Sequence, residues 1–380
     1  MPGVGGEARA EQMFPVDRHR RQLDSLRTFA VFAVILGHFA PRVLARLPLG
    51  DLGVRLFFVL SGFLITGILL DCRALVADGA TPLSVIGRFY VRRGIRIVPA
   101  FYGVLAAMWV AGMPEVRDSL PWHLAYASNV YFARLGTWHE ATSHFWSLAV
   151  EEQFYVVWPM VVLFQPARRM SVLLILVAAS APLYRMVCLW NGWSPITMQV
   201  LPFGSVDSLA VGALLAWLAK ADERGHHALT LVGRLLVPVA LGLTALGALH
   251  IRLGGTLRTV FLDTIWSVAF VWLIDRAAVG FRGAVGRLLD SVLLVYLGRI
   301  SYGLYLFHLL SPSIVRWLWV ECLGRQRLSP GVGVGAAIVL TILLAASSWR
   351  FYEGPLNRLK RYVPYDARRG PSIENPLVSN

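Results

Sequence analysis

The sequence predicts an all-α, polytopic membrane protein with about ten transmembrane helices and both termini in the cytoplasm. Of its 380 residues, 56% are hydrophobic and only 15% are charged, and the mean hydropathy is +0.59. Such a chain is too apolar for a soluble protein of this length. A bilayer core of about 30 Å requires roughly 20 mostly apolar residues per helix. The long apolar runs are therefore the predicted transmembrane helices.

Ten apolar runs of suitable length are bounded by Pro, Gly or charged residues. In chain order they span residues 27–42, 53–70, 97–112, 146–165, 171–190, 201–219, 229–249, 259–275, 295–315 and 332–349. Around them we expect a basic cytoplasmic segment at 1–22, one transmembrane domain at 23–362, and a loose cytoplasmic tail at 363–380.

The distribution of positive charge predicts the orientation of the chain. The net charge is +14, which in a soluble protein would suggest a nucleic-acid partner. With the N-terminus inside, 25 of the 36 Lys and Arg residues fall on the inner side and 11 on the outer side. This asymmetry follows the positive-inside rule. We therefore expect a lipid bilayer around the chain and no nucleic acid as a partner.

The first apolar run carries an arginine at its start and a histidine near its middle. Arg27 and His38 are eleven positions apart, which places them on one helix face about 16 Å apart along the axis. Ionisable side chains at membrane depth are costly, so they indicate a partner, a water-filled cavity or a function. The simpler alternative is that Arg27 anchors the helix at the headgroups while His38 contacts a neighbouring helix.

A pair of glutamates enters the fourth run in the segment SLAVEEQFYVVWP. Glu151 and Glu152 point about 100° apart on a helix, so one of them must face the protein interior. Glu152 could lie beside the His38 imidazole and fix its tautomer. The alternative is a glutamate pair solvated by the outer loop, which we expect for Glu151 more than for Glu152.

An arginine cluster lies at the inner entrance of the third run, in RFYVRRGIRIVPAF. Arg92, Arg93 and Arg96 form pairs at i, i+3 and i, i+4, which makes a compact cationic patch. Guanidinium groups suit phosphate oxygens, so the patch could bind a phosphate-bearing cosubstrate such as coenzyme A. It could equally bind lipid headgroups.

The ninth run places three polar residues on one stripe. Ser301, Tyr305 and His308 follow one another at spacings of four and three. They could line an acceptor cavity, or they could connect packed helices by hydrogen bonds. Asp207 is a further buried acid among small residues.

Several common catalytic motifs are missing from the sequence. Neither His139 and His144 nor His226 and His227 have the spacing of an HExxH zinc site, so we expect no metal. There is also no GxSxG elbow and no phosphate loop of the P-loop type. The sequence gives no support to a hydrolase or an ATPase.

At these residues the sequence resembles the acyltransferase-3 family of integral membrane O-acyltransferases. Six motifs occur in the family's order over about residues 23–361. They are the Arg-x10-His of Arg27 and His38, GVRLFFVLSGFLITG, RRGIRIVP, SLAVEEQFYVVWP, ISYGLYLFH and YEGPLNR. The chain departs from the family pattern at Phe101, where an aromatic hydroxyl is common, and at Ser205, where relatives often carry Arg. A charge pair for Asp207 is therefore not expected.

The resemblance implies an enzyme of the bacterial inner membrane that takes an acyl group, most often acetyl, from cytoplasmic acyl-CoA. It implies activity at Arg27, His38, Arg92, Arg93 and Arg96, with Glu152 as a further candidate. In the mechanism we expect, the three arginines hold the CoA phosphates and the thioester reaches into a cavity shared with His38. His38 is then the general base on an acceptor hydroxyl, and Arg27 stabilises developing charge. No permanently bound cofactor is expected.

The acceptor is left open by the residues. A surface polysaccharide or a lipid-linked glycan is the leading expectation, and a small glycosylated metabolite such as a macrolide sugar is the alternative. A non-catalytic transporter is an alternative from a different functional class. Many transporters consist of paired inverted halves with broken helices at matching positions, and these are not evident in the sequence.

Overall fold

The fold is described by a computed structural model that covers residues 21–39, 47–249, 255–322, 324 and 328–366. All the regular secondary structure in these residues is helical, and they contain no strand. Most of the predicted segment 1–22, the tail from 367 onward and residues 40–42 of the first predicted run lie outside the described residues.

The helices are numbered here in chain order. The first half contains α1 (Arg21–Phe39), α2 (Leu49–Ala77), α3 (Pro82–Val110), α4 (Pro114–Leu124), α5 (Ser128–Leu135), α6 (Phe145–Phe164), α7 (Ala167–Trp190) and α8 (Pro195–Val200). The second half contains α9 (Val206–Ala221), α10 (Glu223–Ala248), α11 (Gly255–Val279), α12 (Gly283–Leu289), α13 (Val292–Arg299), α14 (Ser301–Phe307), α15 (Leu310–Trp317) and α16 (Pro330–Ser348). After α16 the helical path continues through a π turn at Trp349–Glu353, α17 (Gly354–Asn357) and a 3-10 turn at Arg358–Tyr362.

Seven helices of the described chain are long and apolar enough to cross a membrane. They are α2, α3, α6, α7, α10, α11 and the continuous path Pro330–Tyr362. The protein is therefore a multi-pass α-helical membrane protein, whereas the count of ten is not confirmed.

The three remaining predicted runs differ from simple spans for identifiable reasons. The helix of the first run, α1, carries Arg21, Asp24 and Arg27 within its first seven residues. The helix of the sixth run, α9, has only 16 residues because a 3-10 turn at Pro202–Gly204 precedes it. The ninth run is divided among α13, α14 and α15.

At the centre of the bundle α2 packs against α1, α6 and α9. Glycines set the contact between α2 and α9 on both sides. A Cβ on Gly62 would collide with the Leu209 carbonyl, and a Cβ on Gly212 would collide with the Val59 carbonyl. Small residues at such positions let two helix backbones approach closely, which is how membrane helices gain packing contacts.

One end of the bundle is joined by a buried ion network around Asp207. Arg185 Nη2 lies 2.6 Å from one Asp207 carboxylate oxygen and Arg55 Nη1 lies 3.3 Å from the other. Arg55 also pairs with Asp263 at 2.6 Å. The network connects α2, α7, α9 and α11. The expectation that Asp207 lacks a charge pair is wrong, because arginines from two other helices supply the positive charge that is absent at position 205.

Candidate functional site

An internal cavity, which we call the arginine cavity, lies between α1, α2, α3, α6 and α14. Its lining includes three guanidinium groups, two carboxylates and several hydroxyls. The polar lining residues are Arg27, Ser61, Arg93, Arg96, Ser147, Glu151, Glu152, Tyr155, Ser301, Tyr302 and Tyr305. The motifs of five separate apolar runs therefore meet at one place, as the sequence predicts for residues that serve a common function.

The cationic side of the cavity combines α1 and α3. Arg27 Nη1 pairs with buried Asp24 at 3.3 Å. The Arg93 guanidinium lies over the Tyr155 ring, with its central carbon 5.6 Å from the ring centroid. Arg96 interacts electrostatically with both Arg27 and Arg93, and the described part of the chain gives it no salt bridge. Like charges gathered inside a bundle repel one another, so this side of the cavity favours an anionic ligand.

Arg92 is separated from the other two predicted arginines. Its Nη1 donates to the backbone carbonyls of Lys360 at 2.8 Å and Val363 at 3.0 Å. Its guanidinium also lies over the Tyr365 ring at 4.7 Å. Because residues 92 and 93 are about 100° apart on α3 while 93 and 96 share a face, only the latter two reach the cavity. Arg92 instead holds the C-terminal segment against α3.

Both glutamates line the arginine cavity. Ser61 Oγ donates to Glu151 Oε1 at 2.5 Å, and the Tyr155 hydroxyl donates to Ser61 at 3.0 Å. The expectation that Glu151 faces the outer loop is therefore wrong. Ser61 and Glu151 were missed by sequence reasoning, although a lone serine in the otherwise apolar stretch FFVLSGFL was a usable signal.

The predicted stripe of the ninth run is only partly in the arginine cavity. Ser301 and Tyr305 line it, and the Tyr305 hydroxyl lies 2.5 Å from Ser147 Oγ. Tyr305 also donates to the His144 carbonyl at 3.2 Å. His308 follows behind Tyr305 and is fully buried. The stripe thus both lines a cavity and connects packed helices.

Three histidines form a cluster behind Tyr305. The ring centroids of His38 and His308 are 5.1 Å apart, and those of His144 and His308 are 4.8 Å apart. His144 was considered only as a metal ligand by sequence reasoning. Within the described residues no group of His, Cys, Asp and Glu is arranged to hold a metal ion.

His38 itself lies on the wall of a second cavity, which we call the His38 cleft. The C-terminal part of α1 forms one side of this cleft, and α15 and α16 form the other. It is lined by His38, Phe39, Pro312, Val315, Leu328, Ser329, Pro330, Gly333, Val334 and Ala337. His38 Nδ1 donates to the carbonyl of Val34 at 3.0 Å. With the proton on Nδ1, Nε2 is the basic nitrogen, as general-base catalysis requires.

Two sequence-based expectations about His38 are therefore corrected. Its tautomer is fixed by a backbone carbonyl of its own helix and not by Glu152, which lines the other cavity. His38 and the arginines also line two cavities and not one. The side chains of Tyr305, His144 and His308 lie between them.

Fold and site together define a multi-pass membrane protein that gathers arginines, carboxylates and histidines from separate helices inside its bundle. The sequence profile of the family described as "Acyltransferase domain" matches residues 20–350. The chain therefore belongs to this acyltransferase family and carries its acyltransferase domain.

Curated relatives agree with this assignment. The chain is 28% identical to O-acetyltransferase OatA of Staphylococcus aureus strain NCTC 8325 / PS 47, over 97% of this chain and 62% of that protein. The values for OatA of strain COL are the same, and for strain MRSA252 they are 28%, 92% and 59%. The chain thus spans about three fifths of the length of these relatives. No solved structure matches the chain.

Proposed function

We propose that this protein is an O-acyltransferase of the bacterial cell membrane that moves an acetyl group from acyl-CoA to a hydroxyl of a carbohydrate. The observation that carries the proposal is the convergence of Arg27, Arg93 and Arg96 on one internal cavity. The family membership supports the acyl-transfer chemistry, and the name of the relatives, O-acetyltransferase, supports acetyl as the group transferred.

The arginine cavity is the proposed site of the donor. Arg93 and Arg96 bind phosphate oxygens of CoA, because guanidinium groups match their geometry and charge. Arg27 stabilises the charge that develops on the thioester oxygen. Arg92, which also belongs to the predicted cationic cluster, contributes indirectly by holding residues 360–363 against α3.

The His38 cleft is the proposed site of the acceptor hydroxyl. His38 Nε2 removes the hydroxyl proton while the oxygen attacks the thioester carbonyl. The C–O bond forms, the C–S bond breaks and the CoA thiolate leaves. Tyr305 borders the arginine cavity and its ring lies 5.4 Å from His308. It therefore belongs to the layer between the proposed donor and acceptor sites, and the thioester must reach through this layer for the hydroxyl to attack it.

The test is acyl transfer from labelled acetyl-CoA by purified protein, with matched arginine variants on one helix. We expect Arg93→Ala and Arg96→Ala to raise the KM for acetyl-CoA about 10-fold or more, because each removes a charge-assisted contact of 1.5–3 kcal/mol in order of magnitude. Arg92→Ala should change KM less, because its side chain lies outside the cavity. An equal KM for all three variants and the wild type would contradict the donor site.

The role of His38 is tested in the same assay. His38→Ala should lower kcat by roughly 10²–10⁴-fold while the protein stays folded, because general-base catalysis contributes about that factor. A folded His38→Ala protein with the wild-type rate would remove His38 from the reaction.

The acceptor has two proposed classes. A polysaccharide or lipid-linked glycan is favoured by the resemblance, whereas a small glycosylated metabolite is favoured by the mostly apolar lining of the cleft beside His38. Mass spectrometry of surface glycans and of small glycosides, from cells with and without the gene, separates the two. The class that loses one acetyl increment in the deletion strain contains the acceptor.

A further inference from the structure

The 3-10 turn at Arg358–Tyr362 buries its lysine and exposes its hydrophobic residues. Lys360 has a relative exposure of 3%, whereas the values for Leu359 and Tyr362 are 45% and 58%. Residues three apart share one face of a 3-10 helix, and Asn357, three positions before Lys360, is buried as well. A buried lysine is rare in proteins and indicates a specific partner or a function.

The C-terminal segment, residues 358–366, is held on α3 through its backbone. Arg92 Nη1 donates to the Lys360 carbonyl at 2.8 Å and to the Val363 carbonyl at 3.0 Å. Arg88 Nη1 donates to the Pro364 carbonyl at 2.6 Å. These hydrogen bonds use carbonyl oxygens, so they place the main chain of Lys360 beside α3 without involving its ammonium group.

The Lys360 ammonium group lies within electrostatic range of the cationic side of the arginine cavity. Its strongest electrostatic interactions among the described residues are with Arg96, Arg93, Arg92 and Arg27. Three of these four arginines line the cavity. Because like charges repel one another, a further cation at this place favours a ligand that carries more than one anionic group.

The C-terminal segment and the histidine cluster lie at opposite ends of the arginine cavity. The segment is bound near the start of α3, at Arg88 and Arg92. Further along α3, the Phe101 ring packs against Phe145 with centroids 5.1 Å apart. Phe145 in turn contacts His144 of the histidine cluster at 4.3 Å. The C-terminal segment is therefore on the side of the cavity that faces away from these histidines.

The proposed donor has the same order of groups along its length. Coenzyme A carries the thioester at one end, a diphosphate in its middle, and a ribose with a 3′-phosphate at the other end. In the proposed function the thioester reaches toward His38 and the diphosphate lies at Arg93 and Arg96. The ribose then falls on the side of the C-terminal segment, where Lys360 is buried.

We propose that Lys360 binds the 3′-phosphate of the acyl-CoA donor, as a fourth cation that the C-terminal segment adds to the donor site. The inference rests on the proposed function, because it assigns one group of that donor to one residue. No bond of the donor forms or breaks at the 3′-phosphate. The contact is therefore equal in the ground state and the transition state, and it acts on KM and not on kcat.

The test compares two donors, labelled acetyl-CoA and labelled acetyl-3′-dephospho-CoA. Lys360→Met keeps the length of the side chain and removes its charge, whereas Lys360→Arg keeps the charge. Arg361→Met is the matched control, because Arg361 is the next residue of the same turn but is exposed and donates to the Tyr362 hydroxyl at 2.6 Å. Thermal unfolding in detergent establishes that each variant is folded.

The expected result is a loss of preference between the donors. The wild type should have a KM for the dephospho donor about 10-fold or more above that for acetyl-CoA, because a charge-assisted contact with phosphate is missing. Lys360→Met should raise the KM for acetyl-CoA by the same factor and leave that for the dephospho donor unchanged, so that the two donors become equivalent. Lys360→Arg and Arg361→Met should keep the preference for acetyl-CoA, and kcat should be the same throughout.

Three results decide against the inference alone. A folded Lys360→Met protein that keeps the wild-type preference overturns it, and so does a wild type with one KM for both donors. An equal rise in both KM values in Lys360→Met also overturns it, because that result assigns the lysine to the shape of the site or to a lipid phosphate. If the wild type transfers label from neither donor, the proposed function itself fails and the inference fails with it.

Discussion

Among single residues, the direction of a side chain decides its contacts more than its type does. Arg92 and Arg93 are neighbours in sequence, yet one holds a C-terminal segment and the other lines the arginine cavity. Glu151 and Glu152 are also neighbours in sequence, but both of them line that cavity. The helical spacing of the arginines predicted that they form a cluster. It did not predict which of them face the cavity.

Glu151 provides a prediction at this scale. Its carboxylate lies within electrostatic range of Arg27, Arg93 and Arg96 and accepts a hydrogen bond from Ser61. Glu151→Gln keeps an oxygen for Ser61 but removes a negative charge next to the proposed phosphate site. We expect the KM for acetyl-CoA to fall about 2- to 10-fold, since roughly 1 kcal/mol of repulsion is removed.

The control for this measurement is Glu140→Gln, which neutralises an exposed carboxylate outside the cavity. Its KM should match that of the wild type. A raised KM in a folded Glu151→Gln protein would show that this carboxylate does not oppose donor binding.

At the scale of helices, the apolar runs are predictable because bilayer thickness sets their length. The interruptions are not equally predictable. The run 295–315 reads as one span, but its helix breaks after Arg299 and after Phe307. This division places Ser301 and Tyr305 on the arginine cavity and His308 behind it. These candidate site residues therefore occur where the local helical pattern is broken.

The contact between α2 and α9 yields a prediction about stability. Gly62→Ala should lower the unfolding free energy by about 1–3 kcal/mol, because the added methyl meets the Leu209 backbone and forces two packed helices apart. Gly67→Ala, on the same helix, should cost little, because nothing lies within 4 Å of its Cβ. The measurement is thermal unfolding of both variants in one detergent. Equal melting temperatures would contradict the close approach of α2 and α9.

For the whole molecule, the number of crossings determines on which side each terminus lies. The seven helices that meet the length and composition requirement would by themselves place the two ends on opposite sides. Both termini are cytoplasmic only if an odd number of further crossings is added. The predicted count of ten assigns three further crossings, to the helix α1, the helix α9 and the divided run α13–α15. The positive-inside distribution of Lys and Arg favours this arrangement.

A reporter fusion tests the orientation. Green fluorescent protein joined after residue 366 should fluoresce in a bacterial host, and alkaline phosphatase at the same point should be inactive, because the fusion point is expected in the cytoplasm. The reverse pair of results would place the C-terminus outside and contradict the predicted topology.

The class of fold, the family and most of the candidate site are predictable from the amino-acid sequence. Hydrophobic run length is a local property that the bilayer imposes on any spanning helix, and each motif is contiguous, so both are readable without a structure. Arg27, Arg93, Arg96 and Tyr305 were identified in this way and do meet in one cavity.

The arrangement of the motifs around one another could not be predicted and is visible only in the folded chain. The two cavities, the placement of His144 beside His308, and the pairing of Asp207 with Arg55 and Arg185 all depend on contacts between helices far apart in sequence. Helical periodicity fixes the angle of a side chain about its own axis, but it does not determine which helix lies opposite. That choice is made by packing between helices, such as the close contact at the paired glycines of α2 and α9.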